Sequence, residues 1–229
     1  MISHARLPLN PPIHKWQAEI DALTENWTEH FNKNYFEGQW TVISLRSPGG
    51  RSGQIIPDAI GDKEYADTPL LNDCPSIRSW LTELQCPLLS VRLLNLRSHS
   101  IIKEHRDHEL SFEKGEARLH VPVFTNPFVE FHLNNELLMM NEGECWYINA
   151  NLLHRVANNG PADRIHLVLD CVVNDWLKSI FEKSECINVP EEQFDDENRK
   201  IISELRRSNT EVANRLADEL ESKMKTRLS

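Results

Sequence analysis

The residues whose types and spacing could do chemistry are His105 and Asp107, two positions apart, then His154, 49 residues after the first, and Arg164, ten further on. Two imidazoles and one carboxylate can occupy one face of a non-haem Fe(II) ion and leave the other positions open for substrate and dioxygen. In an extended segment, residues i and i+2 project to the same side, so His105-Arg106-Asp107 supplies two ligands from one short stretch. The third, His154, follows Gly143-Glu144-Cys145-Trp146-Tyr147-Ile148, near a turn marked by Asn149 and Asn151. An arginine at the position of Arg164 suits a co-substrate that carries a carboxylate, because a guanidinium pairs with one bidentately.

Arg164 opens the run Arg164-Ile165-His166-Leu167-Val168-Leu169-Asp170. A strand with Ile165, Leu167 and Leu169 on one face sends Arg164 and His166 to the other. A surface ion pair needs no such position, whereas an arginine inside a barrel must find an anion. The run Arg118-Leu119-His120-Val121-Pro122-Val123 repeats the pattern: Arg118 and His120 share a face opposite Leu119, Val121 and Val123. That pair fits either a carboxylate or the outer hydrogen bonds that fix ligand orientation. Most of the chain's ten histidines cannot be ligands, and Trp146 fits a core role as well as a place at the pocket wall.

These residues need a rigid frame, and the segment from Leu88 to Val173 provides one. It consists of short apolar runs rich in Val, Ile, Leu and Phe, punctuated by turn residues. Eight strands are expected: Ser90–Leu96, Ile101–His105, Ala117–Phe124, Val129–Leu133, Leu137–Met140, Glu144–Ile148, Leu153–Val156 and Arg164–Val173. Many short strands without intervening helices predict a mainly β fold, a jelly roll. Flanking helices are expected on both sides. Trp16, Ile20, Leu23, Trp27 and Phe31 form a helical stripe over Ile13–Phe36. A strand, Trp40–Arg46, follows, then an excursion over Ser47–Pro69 that would suit a lid. A short helix comes next, capped by Asp73 or Ser76, with Ile77, Trp80, Leu81 and Leu84 inward. After Val173 the chain returns to helix, through Asp175–Phe181 and then from about Glu191 to the end. There Val212, Leu216, Leu220 and Met224 make a stripe that would pack on the barrel or form a homodimer. The expected division is a barrel domain over 1–174 and a helical extension over 175–229.

Composition narrows the partners. The chain has 229 residues, with 25 Lys+Arg against 35 Asp+Glu and a net charge of −10, which opposes binding to nucleic acid or anionic membranes. Five cysteines without a C-x-x-C pair resemble neither a disulfide framework nor a zinc ribbon, so reduced thiols and a cytoplasmic setting are expected. The N-terminus lacks a basic region followed by an apolar run, and no apolar stretch approaches the ~20 residues of a membrane span.

Taken together, Ile101-Ile102-Lys103-Glu104-His105-Arg106-Asp107, Arg118-Leu119-His120, Gly143-Glu144-Cys145-Trp146-Tyr147, His154 and Arg164-Ile165-His166-Leu167-Val168 resemble the aspartyl/asparaginyl β-hydroxylase family of Fe(II)- and 2-oxoglutarate-dependent dioxygenases, including its free-proline hydroxylase branch. The resemblance implies a double-stranded β-helix of cupin-like form with Fe(II) on His105, Asp107 and His154, and with Arg164 on the far carboxylate of 2-oxoglutarate. It further implies that Arg118 and His120 line the co-substrate site and that Arg92 reaches toward an amino-acid substrate. The implied activity is hydroxylation of an amino acid, or of an amino-acid residue in a peptide, using O2 and releasing succinate and CO2. Asp107 favours the amino-acid hydroxylase branch, since animal aspartyl hydroxylases lack that carboxylate. Those enzymes also carry an arginine where this chain has Glu116. Two other readings stay open: a cupin-type metalloenzyme that does not use 2-oxoglutarate, and a jelly-roll binding module without turnover.

Overall fold

The computed structural model describes residues 1–23, 26–57, 64–107 and 110–227, with side chains described except at 191–197 and 223–227. In chain order the strands are β1 (Ile2–Leu7), β2 (Thr28–Glu29), β3 (Phe36–Glu37), β4 (Trp40–Pro48), β5 (Tyr65–Asp67), β6 (Leu88–Leu96), β7 (Ser100–His105), β8 (Glu116–Phe124), β9 (Val129–Leu133), β10 (Glu136–Leu138), β11 (Cys145–Ile148), β12 (His154–Asn158), β13 (Arg164–Val172) and β14 (Glu185–Asn188). The helices are α1 (Ile13–Asp21), α2 (Pro75–Glu83), α3 (Asp175–Phe181), α4 (Glu191–Ser208) and α5 (Glu211–Arg227).

From β6 to β13 the chain winds between two sheets. The larger runs β14-β1-β11-β8-β13-β6-β4-β2 with β5 beside β4, and the smaller runs β10-β9-β12-β7-β3. β6, β8, β11 and β13 lie in the first, and β7, β9, β10 and β12 in the second. This is the expected double-stranded β-helix, and all eight expected strands are present with ends shifted by a few residues. β9 and β10 join through Asn134 and Asn135, both at positive φ (46° and 69°), as a two-residue hairpin turn requires.

The apolar parity of the strands faces outward. Val91 and Leu93 of β6, Leu119, Val121 and Val123 of β8, and Leu167 and Leu169 of β13 form one buried cluster with Trp16 and Ile20 of α1, Ile77 and Trp80 of α2, and Leu177 and Phe181 of α3. The hydrophobic core therefore lies between the large sheet and the helices. The other parity, including Arg92, Arg118, His120 and Arg164, is left to line the interior.

Several expectations are corrected. The helix over Ile13–Phe36 stops at Asp21, and the chain goes on to pair Thr28 and Glu29 with Val42 and Thr41, and Phe36 and Glu37 with Ile102 and Ile101. Asn26, Thr28, Asn32 and Asn34 are poor helix formers, and strand pairing overrides the apolar spacing. Gly38 permits this path: its φ is 83°, and a side chain there would collide with Ser100. β1 was not foreseen. α2 has no side-chain cap of its own; Glu19 of α1 accepts from the Ser76 amide at 2.7 Å and the Ile77 amide at 3.3 Å. The Ser47–Pro69 excursion begins as the end of β4 and returns as β5, while the centre of the expected lid, 58–63, lies outside the described residues.

Two compact units result, Ile2–Ile187 and Asn188–Ser229 with Met1. α3 belongs to the first, where Phe181 stacks on Phe112 at 4.2 Å between ring centroids. In the second, the single expected helix is two, broken at Asn209 in the left-handed conformation (φ 51°). Arg206 of α4 bonds Asp218 of α5 at 2.6 Å. Among the described side chains of α5, Ala213 and Ala217 are buried whereas Val212 and Leu216 of the expected stripe are exposed; the side chain of Met224 lies outside the described residues. No helix among the described residues is long and apolar enough to cross a membrane.

Candidate metal centre

β7 and β12 are neighbours in the small sheet, and their register sets His105 opposite His154, with ring centroids 4.2 Å apart. Asp107 lies just beyond β7, where its amide donates to the Ala150 carbonyl at 2.9 Å. The candidate ligand atoms of His105, Asp107 and His154 all lie within 4.8 Å of one another. Each imidazole is held from behind: His105 Nδ1 donates to the Lys103 carbonyl at 2.7 Å and His154 Nδ1 to that of Leu152 at 2.9 Å. A carbonyl only accepts, so each Nε2 keeps a free lone pair, as metal ligation requires. Burial, followed by the neighbouring His105, holds the His154 pKa down at about 4, which keeps it neutral. Two imidazoles and a carboxylate with open positions suit Fe(II).

A layer of buried charge supports Asp107. Burial raises its pKa, but Arg118, then His154, His105 and Arg92, outweigh this and hold the carboxyl below its usual range. Arg118 Nη1 donates to Asp107 Oδ2. From its other side Arg118 makes a fork to Asp170, Nε to Oδ1 at 2.7 Å and Nη2 to Oδ2 at 3.0 Å. Asp170 Oδ2 also accepts from Ser90 Oγ at 2.7 Å and Arg92 Nη2 at 3.3 Å. Although burial opposes ionisation of Asp170, Arg118 dominates the attraction that keeps it ionised.

Arg164 is placed differently. It is 2% exposed and makes no ion pair with a carboxylate among the described residues. Nη2 bonds the Nδ1 of His166 at 2.8 Å, and Nε has no partner. Burial alone lowers its pKa to about 9. An enclosed cation with an unsatisfied donor is a receptor for an anion. His120 adds a second unsatisfied group, without charge: it is buried, its Nδ1 lacks a partner, and burial followed by Arg164 holds its pKa well below the usual imidazole value.

His105, Asp107, His154, Arg92, Arg118, His120 and Arg164 all line one cavity of about 330 Å³. The structure thus brings every expected site residue together. Arg118 differs from expectation in its partners, since two carboxylates engage it. His166 stands behind Arg164, and Trp146 lies away from the cavity, its Nε1 donating to Glu144 at 2.9 Å. Sequence reading missed Asp170, although its parity with Arg164 and His166 marked it as inward. It also missed the aromatic wall of His30, Phe31, Tyr35 and Trp40, because the first three fell in the expected helix and Trp40 was read only as the start of a strand.

Residues 13–173 match the family described as aspartyl/asparaginyl beta-hydroxylase. An L-proline cis-4-hydroxylase of Rhizobium meliloti (strain 1021) is 26% identical over 150 residues, covering 65% of this chain and 53% of the relative. The chain therefore spans about half the length of that curated relative. A prolyl-4-hydroxylase from Pseudomonas putida is similar at a TM-score of 0.46 with 8% identity, over 76% of this chain and 94% of the other. An oxidoreductase of the 2OG-Fe(II) oxygenase family from Burkholderia pseudomallei is similar at 0.43 with 13% identity, over 68% and 77%.

Proposed function

Because the chain belongs to the aspartyl/asparaginyl β-hydroxylase family, we propose that it is an Fe(II)- and 2-oxoglutarate-dependent dioxygenase that hydroxylates an amino acid, free or within a peptide, with release of succinate and CO2. The observation that carries this reading is the buried Arg164, which pairs with no carboxylate among the described residues, in the same cavity as the His105, Asp107 and His154 set. Those three residues would hold Fe(II), and Arg164 would bind the far carboxylate of 2-oxoglutarate. When bound, iron would activate O2 with 2-oxoglutarate as the two-electron reductant, so that one oxygen atom ends in succinate and the other in the alcohol.

The chain's own residues supply orientation, charge and dryness. Arg118 keeps Asp107 ionised, and the carbonyls of Lys103 and Leu152 aim the two imidazoles. Leu94, Ile102, Ile148, Val156 and Val168 give the cavity aliphatic walls that exclude water. Arg118 is engaged by both Asp107 and Asp170, whereas Arg164 pairs with no carboxylate among the described residues. Free proline is the first substrate to try, as the named substrate of the proline hydroxylase relative. A cytoplasmic setting agrees with the five free cysteines.

The test is succinate release from a panel of free amino acids and short peptides, with Fe(II), 2-oxoglutarate and ascorbate. At least one compound should raise succinate above the substrate-free background. A protein that binds metal but releases none from any of them belongs to another reaction class. Arg164→Ala should raise the 2-oxoglutarate requirement by roughly 100-fold, as expected for truncating one side of a buried charge pair, while metal binding survives. Unchanged 2-oxoglutarate affinity would remove Arg164 from its role.

A further inference from the structure

We propose that Asp170 is a positioning residue for the metal centre, acting through Arg118 to fix which oxygen of Asp107 faces the ion; the inference rests on the metal reading above. Asp170 sits on β13 directly across from Arg118 on β8 and is 3% exposed. The two bonds of its fork, 2.7 Å and 3.0 Å, fix the plane of the guanidinium as well as its charge. With that plane fixed, Arg118 Nη1 meets Asp107 Oδ2. Asp107 Oδ1 is then left on the side of the imidazoles, 3.9 Å from His105 Nε2.

Packing gives little reason for such a group, since buried ion pairs can be replaced by apolar residues without loss of stability. Asp170 also takes hydrogen bonds from two other side chains on β6, Ser90 at 2.7 Å and Arg92 at 3.3 Å. A carboxylate held from two strands cannot turn, so neither can the arginine it grips. Without the charge of Asp170, Arg118 would be free to rotate and to pair with both oxygens of Asp107. That would draw Oδ1 away from the metal and weaken the site without removing any ligand.

The experiment measures Co(II) binding to the full-length protein by calorimetry and by its visible absorption bands, without 2-oxoglutarate or turnover. Asp170→Asn should weaken Co(II) binding by about 10- to 100-fold, the usual effect of losing an outer partner of a ligand, and alter the Co(II) bands. Val121→Ala, on the opposite face of β8, should lose stability with no change in affinity or spectrum, which separates positioning from general loosening. If Asp170→Asn does not fold, Ser90→Ala decides. It removes one hydrogen bond to Asp170 and touches no ligand, and it should weaken Co(II) binding about threefold or more. Wild-type affinity and spectrum in the folded Asp170→Asn protein, or failing that in Ser90→Ala, overturn the inference. A wild-type protein that does not bind Co(II) overturns the metal reading itself.

Discussion

At the scale of single residues, a guanidinium enclosed without a carboxylate costs the folded protein free energy. Burial lowers the Arg164 pKa to about 9, and at about 1.4 kcal/mol per unit the cost without ligand is on the order of a few kcal/mol. Arg164→Met should therefore raise the melting temperature of the ligand-free protein and abolish the further rise that 2-oxoglutarate gives the Co(II)-loaded wild type. A variant less stable than the wild type would contradict this. His30 has the opposite sensitivity. It stacks between Phe31 and Trp40, with ring centroids at 4.5 Å and 3.6 Å, and burial, followed by Arg92, lowers its pKa to about 4. The unfolded chain protonates this imidazole below about pH 6.5 and the folded one only below about 4, so stability falls as pH drops through that window. His30→Phe keeps the stack and removes the proton; its urea midpoint should decline less than that of the wild type between about pH 7 and pH 4.5. Equal declines would show that His30 contributes nothing there.

At the scale of elements, the strands were legible and the helix ends were not. Alternation along Arg118–Val123 and Arg164–Asp170 is enforced by two environments, helices outside and the cavity inside, so parity alone assigned each side chain to its face. The apolar spacing of Trp16, Ile20, Leu23, Trp27 and Phe31 was ambiguous, because the first three pack in or against the core while Phe31 is half-exposed at the cavity wall. Local residues also misled at α2. Asp73 and Ser76 have the chemistry of a cap, yet the amides of Ser76 and Ile77 are taken by Glu19, 57 and 58 positions away. Glu19→Ala should accordingly cost about 1–2 kcal/mol in chemical denaturation. Asp73→Ala, at an exposed position, should stay within about 0.5 kcal/mol; the reverse ranking would restore the local cap.

At the scale of the whole molecule, the apolar core sits outside the barrel and the interior carries charge. The close set of His105, Asp107 and His154 and the buried Arg164 give the interior groups that a bound metal and anion would satisfy. Co(II) at about 100 times its dissociation constant should therefore stabilise the protein by about 2.7 kcal/mol relative to a chelator-treated sample. Asp107→Ala should show no such gain in a denaturant titration. Identical midpoints with and without metal in the wild type would mean that the His105, Asp107 and His154 set does not bind it.

Chain order and side-chain parity by themselves determined the β-rich class, the inward set of Arg118, His120 and Arg164, and the choice of His105, Asp107 and His154 as candidate ligands, because parity is a local property of an extended backbone. Only the tertiary structure decided that Arg118 is shared between Asp107 and Asp170 while Arg164 has no carboxylate partner among the described residues. Those two arginines look alike in sequence. They differ because the pairing of β8 with β13 brings Asp170 across 52 positions to one of them, and among the described residues no carboxylate reaches the other.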